Sequence, residues 1–166
     1  MQNHFELFHL PAQFELDMSR LDRAYHEVQT EVHPDKFVNA GATEQRVAMQ
    51  LATQANEAYR TLKNPLKRAT YLCELHGVYL QAESNTALPP AFLMQQMEWR
   101  EQLEQAQHDP TDLDRLKKNA HNAHQQQIQQ IAQQLAQSDY QQAAQLIRQL
   151  MFLEKFNQEI AKVQEQ

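Results

Sequence analysis

Two stripes of apolar residues at helical spacing, parted by a proline, constrain this chain more than any other feature. Leu21, Tyr25, Val28 and Val32 form the first stripe, and Ala48, Leu51, Ala55, Ala58 and Leu62 form the second. Recurrence at this spacing predicts an amphipathic helix in each case, and Asp17 stands where an N-cap is needed for the first. Between them lies His33-Pro34-Asp35-Lys36-Phe37. A proline has no amide hydrogen, fixes its own φ and drives the preceding residue out of helical geometry. The first helix must therefore end by His33. Two amphipathic helices with a short connection bury their stripes against each other as an antiparallel hairpin, which leaves His33 and Asp35 exposed at its tip. Side chains this close in a turn diverge, so they read as a contact patch for a partner rather than as a catalytic pair.

The flanking sequence extends the hairpin into an all-α chain. An apolar cluster, Phe5-Leu7-Phe8, precedes it, and a helix from Leu66 to His76 follows, with Pro65 in its first turn and Gly77 placed to end it. The stretch from Tyr79 to Pro90 is polar, carries no period and closes on Leu88-Pro89-Pro90, so it reads as a linker. Three helical segments are expected after it. They run from about Ala91 to Gln107, from about Asp112 to Gln137 with Thr111 as cap, and from about Tyr140 to Gln164 with Ser138 or Asp139 as cap. Their core stripes are Phe92-Trp99-Leu103, Leu113-Leu116-Ala120-Ile128-Ile131-Leu135 and Ala143-Leu146-Leu150-Leu153-Ile160. Three such helices with short connections make an antiparallel bundle. The expected division is residues 1–77, a linker over 78–90, and a three-helix bundle over 91–166. A content of 42% apolar residues with only two glycines in 166 suits this all-helical reading.

Some apolar residues fall outside the stripes. At about 100° per residue, Leu93 and Met97 lie off the Phe92-Trp99-Leu103 line, and Phe152 lies about 120° from the Leu146-Leu150-Leu153 line. Such side chains either widen a core or form an exposed patch that marks a partner.

The hairpin resembles the J-domain of DnaJ-type co-chaperones. The residues that carry the resemblance are His33-Pro34-Asp35-Lys36-Phe37, Asn56-Glu57-Ala58-Tyr59-Arg60-Thr61-Leu62, and Asn64-Pro65 with Lys67-Arg68-Ala69. The opening Phe5-Glu6-Leu7-Phe8-His9-Leu10 fits as well. The whole chain, a J-domain followed by a linker and a bundle, resembles the HscB family of J-type co-chaperones. The further matches are Ala91-Phe92-Leu93-Met94-Gln95-Gln96-Met97-Glu98, Arg100-Glu101, Phe152-Leu153-Glu154-Lys155 and Leu72-Cys73-Glu74-Leu75-His76-Gly77.

The resemblance implies a function in iron–sulfur cluster biogenesis. A J-domain engages an ATP-loaded, seventy-kilodalton heat-shock chaperone, here of the HscA type, and triggers its ATP hydrolysis. On this chain the implied contacts are His33, Pro34, Asp35 and Lys36, with Arg20 and Arg23 on the preceding helix. Asp35 is expected to pair with an arginine of the chaperone through a charge-assisted bond. Glu27 and Glu31 stand where the family's second helix commonly carries lysine or arginine, which would make this J-domain selective among chaperones. The bundle is implied to bind a cluster scaffold of the IscU type through Leu93, Met94, Met97, Glu98, Glu101 and Phe152. Met97 takes the place of an expected leucine, a change that keeps volume.

Composition narrows the alternatives. The net charge of −6 divides into −2 over residues 1–77 and −4 over 78–166, and neither part has the basic stripe of a nucleic-acid binder. No stretch approaches the ~20 apolar residues that span a bilayer, and the start of the chain shows no secretory pattern, so the cytoplasm is the expected location. The single cysteine, Cys73, can form no internal disulfide and is expected to be buried and inert. It cannot by itself hold a cluster or a structural zinc. His121 and His124, three residues apart, lack an evident third ligand and read as a solvated pair. The glutamine-rich run from His124 to Gln137 keeps Ile128, Ile131 and Leu135 in register and reads as a solvated helix face. No glycine-rich phosphate loop occurs, so no cofactor and no ATP binding are expected. Two other readings stand beside the first: a J-domain co-chaperone for a different client, and an enzyme using His33 and Asp35 with His26. The second suffers from the difficulty of building a pocket at a hairpin tip.

Overall fold

The computed structural model describes residues 2–81 and 88–165. Every regular element among them is helical, and the chain divides into two compact units, residues 1–72 and 73–166. The helices are α1 (His4–Leu7), α2 (Met18–Glu31), α3 (Ala42–Lys63), α4 (Pro65–Leu75), α5 (Pro90–Gln105), α6 (Pro110–Ala136) and α7 (Tyr140–Gln164), with a 3₁₀ turn at Pro34–Phe37. The architecture is a helical hairpin with flanking helices, followed by a C-terminal helical bundle.

In the first unit the Asp17 carboxylate accepts hydrogen bonds from the amides of Ser19 and Arg20 and so starts α2. Leu21 and Val32 on α2, and Ala48, Ala55, Ala58 and Leu62 on α3, are buried. Tyr25, Val28 and Leu51 are half-buried. The cross-links run in opposite order along the two helices. Asp22 bonds Tyr59 and Lys63, while Tyr25 bonds Asn56, as antiparallel pairing requires. Three alanines in the α3 stripe let the helices approach closely. Phe5, Phe8, Leu10 and Phe14 complete the core. Arg68, buried although charged, lies 4.6 Å over the Phe14 ring and donates to the Leu62 carbonyl at 2.6 Å. Cation–π attraction and that bond offset part of its desolvation.

In the second unit α6 and α7 form the principal pair. Leu113, Leu116, Ala120, Ile131 and Leu135 face Ala143, Leu146, Ile147, Leu150, Leu153, Phe156 and Ile160, all buried. The face of α7 is wider than its expected stripe, because Ala144, Ile147 and Phe156 are also buried. Phe156 receives Trp99 of α5, with ring centroids 5.5 Å apart, and Arg100 of α5 pairs with Glu159 at 2.7 Å.

At the helix starts, one sequence expectation is corrected and one choice between two residues is decided. Asp109, not Thr111, caps α6: its carboxylate accepts from the amides of Thr111 and Asp112, and Pro110 takes the first helical position. Asp139 caps α7 through the amide of Gln142, whereas Ser138 sits at φ 60° in the preceding turn.

Residues 73–80 are built into the second unit. Gly77, at φ 79°, ends α4, with Val78 N–H bonded to the Cys73 carbonyl and Gly77 N–H to that of Glu74. These paired bonds make a Schellman motif, whose left-handed position favours glycine. His76 stacks on Tyr140 at 3.9 Å, and the buried Cys73 thiol donates weakly to the Tyr140 carbonyl. Arg148 donates two hydrogen bonds, at 3.0 and 2.8 Å, to the Leu80 carbonyl. Residues 82–87 of the expected linker lie outside the described residues.

Candidate functional site

Two surfaces carry the residues singled out in the sequence, one on each unit. The first is the hairpin tip. His33 leaves α2 with φ −58° and ψ 135°, and it caps the following 3₁₀ turn, its ring Nδ1 accepting the Asp35 amide at 3.2 Å. The same Nδ1 lies 3.6 Å from the Asp35 carboxylate, a contact that is an ion pair only when the ring is protonated. His33 and Asp35 are joined through ring and backbone rather than merely diverging, and the Asp35 side chain stays 89% exposed. Pro34 and Lys36 are exposed beside it. Arg20 and Arg23 are exposed on α2, as are Glu27 and Glu31.

A polar cluster that sequence reading missed staples the hairpin below this tip. The Tyr59 hydroxyl donates to the Asp22 carboxylate at 2.6 Å, and the Lys63 ammonium donates to the same group at 2.9 Å. The Tyr59 bond, then the Lys63 bond, hold the Asp22 carboxyl below its usual range, and Asp22 in turn raises both Tyr59 and Lys63. The only sequence signal is Tyr59 and Lys63 four residues apart. Finding their partner requires the register of α2 on α3.

The second surface lies on the bundle. Leu93 is 44% exposed, Met94 70%, Met97 68% and Phe152 43%, so these side chains form a surface rather than widen the core. Glu98 and Glu101 are exposed as well. Met94, Met97, Glu98 and Glu101 line a groove of about 890 Å³, whose opposite side is Gln126, Gln127 and Gln130 of α6. Leu93 and Phe152 lie outside the groove lining, and the Phe152 ring meets Phe92 edge to face at 6.3 Å. The structure therefore brings four of the six expected residues together in one concavity and leaves two beside it.

Two further expectations change. His124 is not a solvated partner of His121. It is partly buried with its Nε2 3.2 Å from the Glu154 carboxylate of α7, while His121 is exposed. Nor is the glutamine run only a solvated face, since Gln127 donates to the Leu146 carbonyl and to the Gln149 carboxamide. Among the described residues no cluster of three or more metal-ligating side chains occurs, and no helix is long and apolar enough to cross a membrane. Cys73 is fully buried, and burial, assisted by Glu74, pushes its thiol up to about 11.

An exposed His-Pro-Asp turn at the tip of a helical hairpin, with a helical bundle following, is the arrangement expected from the resemblance to J-type co-chaperones. Comparison with known proteins makes the assignment particular. The family model described as the HSCB C-terminal oligomerisation domain matches residues 88–161. Relatives named co-chaperone protein HscB homolog, from Burkholderia thailandensis and Burkholderia multivorans, are 53% and 52% identical over 160 residues, covering 95% of this chain and 91% of each relative. The solved structure of chaperone HscB from Vibrio cholerae superposes with a TM-score of 0.87 at 40% identity, covering 99% of this chain and 98% of that one. Human co-chaperone HscB shares the fold, with a TM-score of 0.89 at 24% identity over 99% of this chain and 83% of its own. The chain belongs to the HscB family of co-chaperones.

Proposed function

We propose that this protein presents an IscU-type iron–sulfur scaffold to an HscA-type heat-shock chaperone in the cytoplasm and stimulates that chaperone's ATP hydrolysis. The observation that carries the reading is the presence of two exposed surfaces of opposite chemistry on separate units of one HscB-family chain. His33, Pro34, Asp35 and Lys36, with Arg20 and Arg23, form the chaperone contact. Asp35 supplies a carboxylate that a chaperone arginine can meet in a charge-assisted, bidentate bond. Leu93, Met94, Met97, Glu98, Glu101 and Phe152 form the scaffold contact, where burying the four apolar side chains supplies the drive. The protein acts as an adaptor rather than an enzyme and needs no cofactor. Tethering client and chaperone contact on one chain raises the effective concentration of scaffold at the chaperone.

The test is the single-turnover ATPase rate of an HscA-type chaperone with this protein and an IscU-type scaffold, added separately and together. The expected result is stimulation by this protein alone, amplified beyond additivity by the scaffold. Stimulation indifferent to the scaffold would favour the second reading, a J-domain co-chaperone for a different client. No stimulation of this or a DnaK-type chaperone would overturn both.

A further inference from the structure

The groove beside α5 has sides of two kinds. The α5 side offers Met94 and Met97 with the carboxylates of Glu98 and Glu101, while the α6 side offers the carboxamides of Gln126 and Gln130. Those two glutamines stand one turn apart and are exposed. Gln127, between them, bonds the Leu146 carbonyl at 2.9 Å and the Gln149 carboxamide at 3.2 Å, which ties the α6 wall to α7. Both charges among the residues lining the groove are negative, and no lysine or arginine is among them.

We propose that this groove receives an extended segment of the client, bearing an apolar side chain next to a lysine or arginine, whose backbone is hydrogen-bonded by Gln126 and Gln130. The inference rests on the client-binding reading of the α5 face and extends that surface across the groove onto α6. Carboxamides donate and accept at once, which is what an extended backbone requires. A docked helix has already satisfied its own backbone and gains nothing from such a wall. The methionines suit an apolar side chain of unspecified shape, because their thioethers are flexible and polarisable. Glu98 and Glu101, with no lysine or arginine among the groove-lining residues, select a cationic neighbour and suppress acidic competitors. From Met94 to Glu101 the α5 rim is about 10 Å long at ~1.5 Å per residue. That length matches about three residues of extended chain at ~3.3 Å each.

The experiment is calorimetric titration of the full chain with an IscU-type scaffold at low and high salt. Gln126→Ala combined with Gln130→Ala is expected to weaken binding about tenfold with an unchanged melting temperature, and Gln130→Lys, which places a cation in the groove, by more. Glu98→Gln with Glu101→Gln is expected to flatten the salt dependence. Gln126→Cys supplies a second readout, because Cys73 is buried: saturating scaffold is expected to protect the new thiol from alkylation. Unchanged affinity in the glutamine variants, with no protection at position 126, would overturn the groove assignment. If Leu93→Ala, Met97→Ala and Phe152→Ala together still abolish binding in that case, the client reading survives alone. Failure of the parent chain to bind scaffold would remove that reading and the groove assignment together.

Discussion

The hairpin tip and the α5 face are both exposed, yet they are held in place by different physics. At the tip, geometry is local: Pro34 ends the helix, the His33 ring caps the turn, and the functional atoms stay in water. On α5, geometry is global. Leu93, Met94 and Met97 are exposed only because Trp99 and Leu103 on the same helix are taken by the bundle core. A polar turn gives up little folding energy by being displayed, whereas an exposed apolar face is a standing cost that a partner relieves. Substitutions at the tip should therefore separate function from stability cleanly. Those on α5 should do so only on one side of the helix.

The sharpest way to break this comparison is His33→Gln. It is expected to return chaperone ATPase stimulation to the basal rate with scaffold affinity and helical circular dichroism unchanged. Loss of helicity would make the tip a structural element instead. The next test sets the two sides of the bundle surface against each other. Alanine at Leu93, Met97 and Phe152 together is expected to lower scaffold affinity by about a hundredfold or more, with each truncation costing about 1 kcal/mol in denaturant unfolding. Phe156→Ala, at a fully buried site, is expected to cost about 3–5 kcal/mol. Comparable losses in the two variants would place the exposed side chains in the core.

Smaller effects test what holds each unit. Asp109→Ala removes the α6 cap and is expected to lower bundle stability by about 1 kcal/mol, measured as a shift in urea midpoint at constant slope. For the hairpin the probe is Asp22→Asn. Asp22 has a folded pKa below its unfolded value, so its contribution is fully present above the ordinary carboxylate value of about 3.9 and is lost as pH falls through the lower folded value. The variant is expected to be slightly less stable than the parent at neutral pH. The two should converge once acid protonates the parent's carboxylate. A difference that persists at low pH would mean that Asp22 acts through packing rather than charge.

Much of this was readable along the chain, for reasons that differ by residue. The α2 and α3 stripes follow from helical periodicity, and the break at Pro34 follows from the missing amide hydrogen. Rotation alone places Leu93, Met97 and Phe152 off their helices' core lines, which leaves a wider core and an exposed patch both open; the packed structure decides for exposure. Thr111 was favoured as a cap because it follows a proline. The structure instead uses the acid before Pro110, since proline belongs at the first helical position. The glutamine run reads as solvent-facing because sequence carries no information about which helix stands opposite Gln126 and Gln130.

What the sequence alone determined is the set of helices, the display of His33 and Asp35, and the apolar surplus on α5, because periodicity, proline and caps act within a few residues. Only the tertiary structure decided the union of Asp22, Tyr59 and Lys63, the burial of Arg148 against the Leu80 carbonyl, the pairing of His124 with Glu154, and the groove between Met97 and Gln130. Each of these joins residues at least 30 positions apart. Their meeting depends on the register in which whole helices pack, which no local pattern records.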